Sequence, residues 1–150
     1  MSVRVQREDF DPGAEIARMT EGRTDVGAVT SFVGLVRGAA GDGSAMTLEH
    51  YPGMTERQLS AIEAEACGRW PLLDSLIIHR FGRLNPGDRI VLVAVASSHR
   101  AAAFAACEFL IDWLKTRAPF WKLEEGPGGE HWVEAKDDDD DRADRWNKSS

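Results

Sequence analysis

Residues 90–119 read IVLVAVASSHRAAAFAACEFLIDWLKTRAP, and this stretch decides the fold. Ile90 to Ala96 is a continuous apolar run of strand length, which predicts a central strand buried on both faces. A helix follows, with Ser97 or Ser98 as its expected cap. Its apolar face is expected at Phe104, Cys107, Ile111 and Leu114, steps of three and four, with Glu108, Asp112 and Lys115 together on another face. Pro119 ends it.

Upstream, residues 2–6 alternate as a short strand, and Asp11-Pro12 is an N-cap and first helical position for a helix to about Thr20. VGAVTSFVGLVR (26–37) predicts a strand broken by Gly34. A glycine-rich loop, GAAGDGS (38–44), leads to a strand over Met46–Tyr51. Thr55 with Gln58 is expected to form a capping box for a helix over 56–69, which carries Leu59, Ile62 and Ala66 at helical spacing. Ser75–Phe81 reads as a strand, and Asn85-Pro86-Gly87-Asp88 as a turn. Past Pro119, Phe120–Glu124 and His131–Ala135 are expected strands joined by a GPGG turn. The order is β-α-β-β-α-β-β-α-β-β. Adjacent strand pairs in this order indicate a single α+β domain with a mixed sheet, placed at residues 1–136.

At 150 residues the chain is long enough to bury a core without a disulfide or a metal. No apolar run approaches a membrane span, and MSVRVQREDF lacks the apolar core of a signal peptide. The expectation is a cytoplasmic protein with Cys67 and Cys107 as core thiols, since neither belongs to a CxxC pair. The net charge is −7, but Asp137–Asp141 is a run of five aspartates, and without its charges the rest of the chain carries −2. Residues 137–150 are therefore read as an acidic, flexible tail on a near-neutral body. No broad basic stripe is present, which argues against nucleic acid.

The four histidines show no metal-ligand spacing, and neither a P-loop nor a GxSxG motif occurs. GLVRGAAGDG does not match a dinucleotide fingerprint and reads as a mobile loop beside Arg37; no cofactor is expected. Three basic features remain. Arg37 follows a strand beside the glycine-rich loop. His99-Arg100 sits in the first helical turn, where positive charge opposes the dipole and an anion would relieve the conflict. Lys115, Arg117 and Lys122 form a cationic knot, KTRAPFWK (115–122), with a proline and two aromatics. Each also reads as ordinary solvated surface charge. From Arg100 to Lys115 a helix runs roughly 22 Å at ~1.5 Å per residue. One small molecule does not span that length, so a site using both ends implies a second copy of the chain.

The strings GAVTSFVGLVR, LEHYPGMTE, RWPL, GDRIVLVAVASSHRAAAF, FLIDWLKTRAPFWK and HWVEA, in this order from about Val26 to Ala135, resemble the catalytic (large) subunit of molybdopterin synthase. The resemblance implies an α/β-hammerhead fold and sulfur insertion into cyclic pyranopterin monophosphate, giving the dithiolene of molybdopterin. It also implies a small ubiquitin-like partner whose C-terminal Gly-Gly thiocarboxylate supplies the sulfur, and a heterotetramer built on a central dimer of large subunits. By resemblance, Lys115 and Lys122 are the functional lysines. Arg37, His99, Arg100, Lys115, Lys122, Leu123, Glu124 and Lys136 match substrate-binding positions, and Phe32 an aromatic position near the site. Lys136 stands where some members have arginine, and Leu123 where a basic residue occurs. The like charges of Arg117 and Lys122 are expected to lower the pKa of Lys115. A binding module that docks the partner without catalysis is the alternative. A phosphate-ester hydrolase is disfavoured by the lack of a metal site or a nucleophile–base pair.

Overall fold

The structure, a computed structural model, describes residues 1–38, 45–125 and 131–133 together with Asp144 and Trp146. Its elements are β1 (Ser2–Gln6), α1 (Pro12–Thr20), β2 (Ala28–Leu35), β3 (Ala45–His50), α2 (Met54–Arg69), β4 (Leu72–Arg80), β5 (Gly82–Leu84), β6 (Arg89–Ser97), α3 (Arg100–Thr116), β7 (Phe120–Glu125) and β8 (His131–Val133). One sheet has the order β1-β4-β6-β2 and is mixed, because β1 runs parallel to β4 while the other pairs are antiparallel. The second sheet, β5-β3-β7-β8, is antiparallel throughout. The expected α+β domain with a mixed sheet is what forms.

The apolar run is strand β6, buried along Ile90–Ser97 and central in the mixed sheet. Its side chains alternate between two cores, as strand geometry demands. Val91, Val93 and Val95 face the cluster that holds Leu59, Ile62 and Ala66 of α2 and Ala106, Cys107 and Leu110 of α3. Leu92, Ala94 and Ala96 face Phe10 and Met19 on the α1 side. Covering both faces removes the need for polar alternation, which is why the run is uninterrupted.

Several expectations hold. Asp11 caps α1 by accepting from the Ala14 N–H at 3.2 Å, with Pro12 at its first turn. Asn85–Asp88 turns with Gly87 at φ +92, and the Asp88 N–H donates to the Asn85 carbonyl at 3.0 Å.

Others are corrected. The expected α2 box does not form: the cap lies two residues early at Gly53, φ +84, which has no side chain to cap with, and of the box only the bond from its N–H to Glu56 Oε2, at 2.8 Å, is made. Thr55 is inside the helix and fully buried. Neither Ser97 nor Ser98 caps α3. His99 occupies that position without a side-chain cap bond, and Ser97 instead donates to the Pro71 carbonyl at 2.8 Å.

Phe104 is 61% exposed. The buried stripe of α3 runs through Ala103, Ala106, Cys107 and Leu110, about one residue's rotation from the expected face. Alanines in that stripe let the helix lie close to the sheet, which turns Phe104 outward. Gly34 does not break β2. The ladder to β6 continues to Leu35 with an irregularity at Gly34/Leu35, and a Cβ at Gly34 would press on Val91 and Phe32. A short strand, β5, was absent from the expected order. The 38–44 loop beyond residue 38 and the GPGG turn lie outside the described residues.

Candidate active site at the end of the long helix

The last turn of α3 carries Lys115, exposed, and Arg117 is the C-cap, its N–H donating to the Trp113 carbonyl at 2.8 Å. Pro119 then sits at the centre of a three-residue turn in which the Phe120 N–H donates to the Ala118 carbonyl at 2.8 Å. Proline's fixed φ suits such a turn, and it feeds directly into β7. In β7, side chains alternate between faces, so Phe120 and Lys122 share one face while Trp121 and Leu123 occupy the other.

Phe120 identifies what that first face meets. Its ring stacks on His79 of β4, centroids 3.8 Å apart, with His50 of β3 at 6.3 Å. His79 is buried, and burial pushes its imidazole down to about 4, helped by the charges of Lys115 and His50. Its Nδ1 lies 2.8 Å from the Arg80 carbonyl, a contact that requires the proton on Nδ1. Lys115 is thus close enough to His79 for its charge to be felt there, and Lys122 shares Phe120's face of β7. On the other face, Trp121 packs against exposed Tyr51 at 4.6 Å.

Arg117 is not turned to the lysines. Its guanidinium pairs with Asp144 at 2.8 Å. Nearby, Trp146 lies edge-on to Trp70 and Phe109, its Nε1–H donates to Asp112 Oδ2 at 2.7 Å, and its carbonyl accepts from Arg69. Asp112, expected on a polar face, is buried under this contact.

The basic candidates separate into two groups. Strands β2 and β6 are antiparallel, with Ala28 opposite Ser97 and Leu35 opposite Arg89. Exposed Arg37 follows β2 at its Leu35 end, where the Val36 N–H donates to the Asp88 carbonyl. Exposed His99 and Arg100 begin α3 at the Ser97 end. The seven residue steps between those pairs in β2 measure roughly 23 Å. Helix α3 packs back along β6 and β2, so its Lys115 end returns towards Arg37. Arg37, Lys115 and Lys122 lie towards one end of the domain, and His99 and Arg100 towards the other.

Phe32 of β2 is half-buried against the core, opposite Val93. Leu123 pairs with Thr47 in the ladder, and Glu124 with Met46. Lys136 and the Asp137–Asp141 run lie outside the described residues. Cys107 is buried, as expected, and its thiol is pushed up to about 12 by desolvation and the Glu108 charge. Cys67 is only half-buried, 2.9 Å from the Met1 sulfur, because it lies at the edge of the α2 face beneath the N-terminus. Among the described residues no group of three His, Cys, Asp or Glu side chains is arranged to hold a metal, and no helix is long and apolar enough to cross a membrane.

Sequence reasoning missed His79 and Asp144, and gave Thr55 only a capping role. His79 is a lone polar residue in the apolar strand SLIIHR, and Thr55 lies inside the singled-out string LEHYPGMTE; both were visible as departures from their surroundings. Asp144 carried no local signal.

Residues 5–117 match the family described as MoaE protein. A molybdopterin synthase catalytic subunit from Mesorhizobium japonicum is 56% identical over 151 aligned residues, covering 99% of this chain and 95% of the relative. The Escherichia coli molybdopterin synthase catalytic subunit is 52% identical, covering 95% of both chains. The solved structure of the molybdopterin biosynthesis MoaE protein from Burkholderia ambifaria superposes with a TM-score of 0.83 at 52% identity, covering 97% of both chains. These likenesses, over nearly the whole length, place the chain in the MoaE family, that of the molybdopterin synthase catalytic subunits.

Proposed function

We propose that the chain works as the catalytic subunit of a molybdopterin synthase, moving sulfur from the C-terminal thiocarboxylate of a small ubiquitin-like subunit to cyclic pyranopterin monophosphate. The observation that carries the reading of the site is the association of Lys115 and Lys122 with one face of the Phe120 turn, on either side of Pro119. Both reactants are anionic, and two ammonium groups on a short, proline-fixed segment suit a thiocarboxylate approaching a phosphorylated pterin.

Lys115 is the residue assigned to the chemistry. It either passes a proton as sulfur attacks the pterin side chain or stabilises the oxyanion formed when the spent acyl group is hydrolysed. Arg117 pairs with Asp144, while Lys122 shares the Phe120 face of β7. Arg37, with His99 and Arg100, supplies phosphate binding, and Lys122, Leu123, Glu124, Lys136 and Phe32 complete the substrate's surroundings. Because His99 and Arg100 sit at the far end of α3, the reading includes a central homodimer within a heterotetramer, each site being completed by the other copy. The reaction is assigned to the cytoplasm.

The test supplies thiocarboxylated small subunit and cyclic pyranopterin monophosphate and measures dithiolene product. Wild-type chain forms product, and Lys115→Ala lowers the rate by about 100-fold or more, a loss in the range of a general acid–base group, while the two subunits still co-elute. Near-normal turnover by Lys115→Ala would remove Lys115 from its assigned role.

A further inference from the structure

We infer that Thr55 is a positioning residue for the lysine-bearing turn, acting on it through the carbonyl of Pro119. The inference rests on the assignment of Lys115 and Lys122 to the site. Thr55 is fully buried in the first turn of α2, 64 residues away in sequence from the proline it holds. Its hydroxyl accepts from the Tyr51 N–H at 3.0 Å. A hydroxyl has a single proton to give, and this one is aimed at the Pro119 oxygen, 3.3 Å away. The Thr55 N–H also donates back to the Tyr51 carbonyl at 2.9 Å. Both backbone polar groups of Tyr51 are therefore taken by one residue, and the hydroxyl's place is fixed before it reaches Pro119.

The residues beside Pro119 are held by the same segment. His50 pairs with Phe120 in the β3–β7 ladder, and the Tyr51 ring packs on Trp121 at 4.6 Å. Gly53, at φ +84, lets the chain reverse between these contacts and α2, and Glu56 closes that reversal through the Gly53 N–H. The string HYPGMT (50–55) thereby grips Pro119, Phe120 and Trp121 at three consecutive points between Lys115 and Lys122. The Thr55 contact differs from the other two. It comes from a fully buried side chain and is made to the residue that turns the chain from α3 into β7. Its loss frees the turn without removing a charge or a ring from the site, and small displacements of a reacting group cost rate steeply.

The experiment compares Thr55→Val, which keeps the shape and removes both hydroxyl bonds, with Thr55→Ser, which keeps them. Thr55→Ala replaces the valine variant if that does not fold. In Thr55→Val, backbone amide exchange at residues 117–122 is expected to speed up about 10-fold while β6 amides stay within twofold. The rate of product formation at saturating substrate is expected to fall about 10-fold, with KM within twofold, and Thr55→Ser to recover to within about threefold of wild type. Ser75→Ala is the control for plain loss of stability, since it removes a buried hydroxyl bond to Glu63 away from this turn. It is expected to lower Tm and leave the turnover of folded enzyme unchanged. Unchanged exchange at 117–122 in Thr55→Val, unchanged turnover, or a serine variant as impaired as valine overturns the inference. If wild-type chain makes no product, the sulfur-transfer reading fails, and the exchange comparison still decides the role of Thr55.

Discussion

His79 and Phe120 lie face to face, ring centroids 3.8 Å apart and planes inclined by 17°, joining β4 of the mixed sheet to the first residue of β7 in the antiparallel one. A protonated imidazole does not tolerate this position. It is buried, it carries its proton on Nδ1 towards the Arg80 carbonyl, and the charges of Lys115 and His50 oppose a second proton. With the folded pKa near 4 and the unfolded value at 6.5, the unfolded chain binds the extra proton between those limits. Stability therefore rises with pH across this window and is lost on acidification, by at most about 3 kcal/mol at ~1.36 kcal/mol per unit. Glu63, raised by its own burial, acts in the opposite sense, and is common to wild type and variant. His79→Phe, which keeps the ring contact, is expected to flatten the dependence between pH 6.5 and 4.5. Urea unfolding across that range checks it, and parallel curves for the two proteins would exclude His79 as the source.

Two glycines give opposite expectations. A Cβ on Gly27 would lie 2.0 Å from the Ser98 backbone oxygen, in the connection that delivers His99 and Arg100. Backbone cannot swing aside as a side chain does, so Gly27→Ala is expected to cost about 3 kcal/mol and lower Tm by roughly 6–12 °C. Gly68, in α2, has nothing within 4 Å of its would-be Cβ. Gly68→Ala is expected to stabilise by roughly 0.5–1 kcal/mol through helix propensity alone. Thermal melts of the pair test both, and a tolerated Gly27→Ala would mean that the β2–α3 approach is looser than described.

Neither thiol of the chain is suited to carry sulfur. Desolvation raises both, Cys107 to about 12, and the carboxylates of Glu108 and Glu63 add to the effect at Cys107 and Cys67 respectively. The thiolate is the nucleophile, and at neutral pH its fraction at Cys107 is negligible. Iodoacetamide at pH 7.5 is expected to leave Cys107 unmodified in the folded protein and to alkylate it in urea, as read by intact mass. A Cys67→Ser/Cys107→Ala double variant is expected to keep product formation within about twofold of wild type. Loss of turnover in the folded double variant would assign a sulfur-carrying role to one of them.

The parts of the fold that the sequence made legible are those with a local cause. The β6 run, the Asp11-Pro12 helix start and the Asn85–Asp88 turn each follow from residues within a few positions of one another. The errors came where a distant partner decided the outcome. Thr55 reads as a cap, but its oxygen accepts from the Tyr51 N–H and its proton is given to the Pro119 carbonyl, far along the chain. Ser97 also reads as a cap, but it is the last residue of β6, paired with Ala28 and donating to the Pro71 carbonyl. Phe104 fits a helical stripe, but the alanines at 103 and 106 set which side meets the sheet. In the candidate site, the lysine knot stood out by charge alone. The stack of His79 on Phe120 and the capture of Arg117 by Asp144 needed the folded chain, because each joins segments with no shared periodicity.

The division of basic residues between the two ends of α3 leads to the last prediction. Arg37 and Lys115 lie towards the Leu35–Arg89 end of the β2–β6 pair, and Arg100 starts α3 at the Ala28–Ser97 end, roughly 23 Å away. If each site takes its lysines from one protomer and Arg100 from the other, Lys115→Ala and Arg100→Ala homodimers are both impaired. A hybrid of the two then holds one site with both defects and one with neither. After free exchange of an equal mixture, half of the dimers are hybrids, and about one quarter of wild-type activity is expected. Exchange is verified with protomers of distinguishable mass, and product formation is read before and after it. Activity that stays at the level of the unmixed variants, once exchange is complete, would place both ends of the helix in separate functions or one protomer's own site.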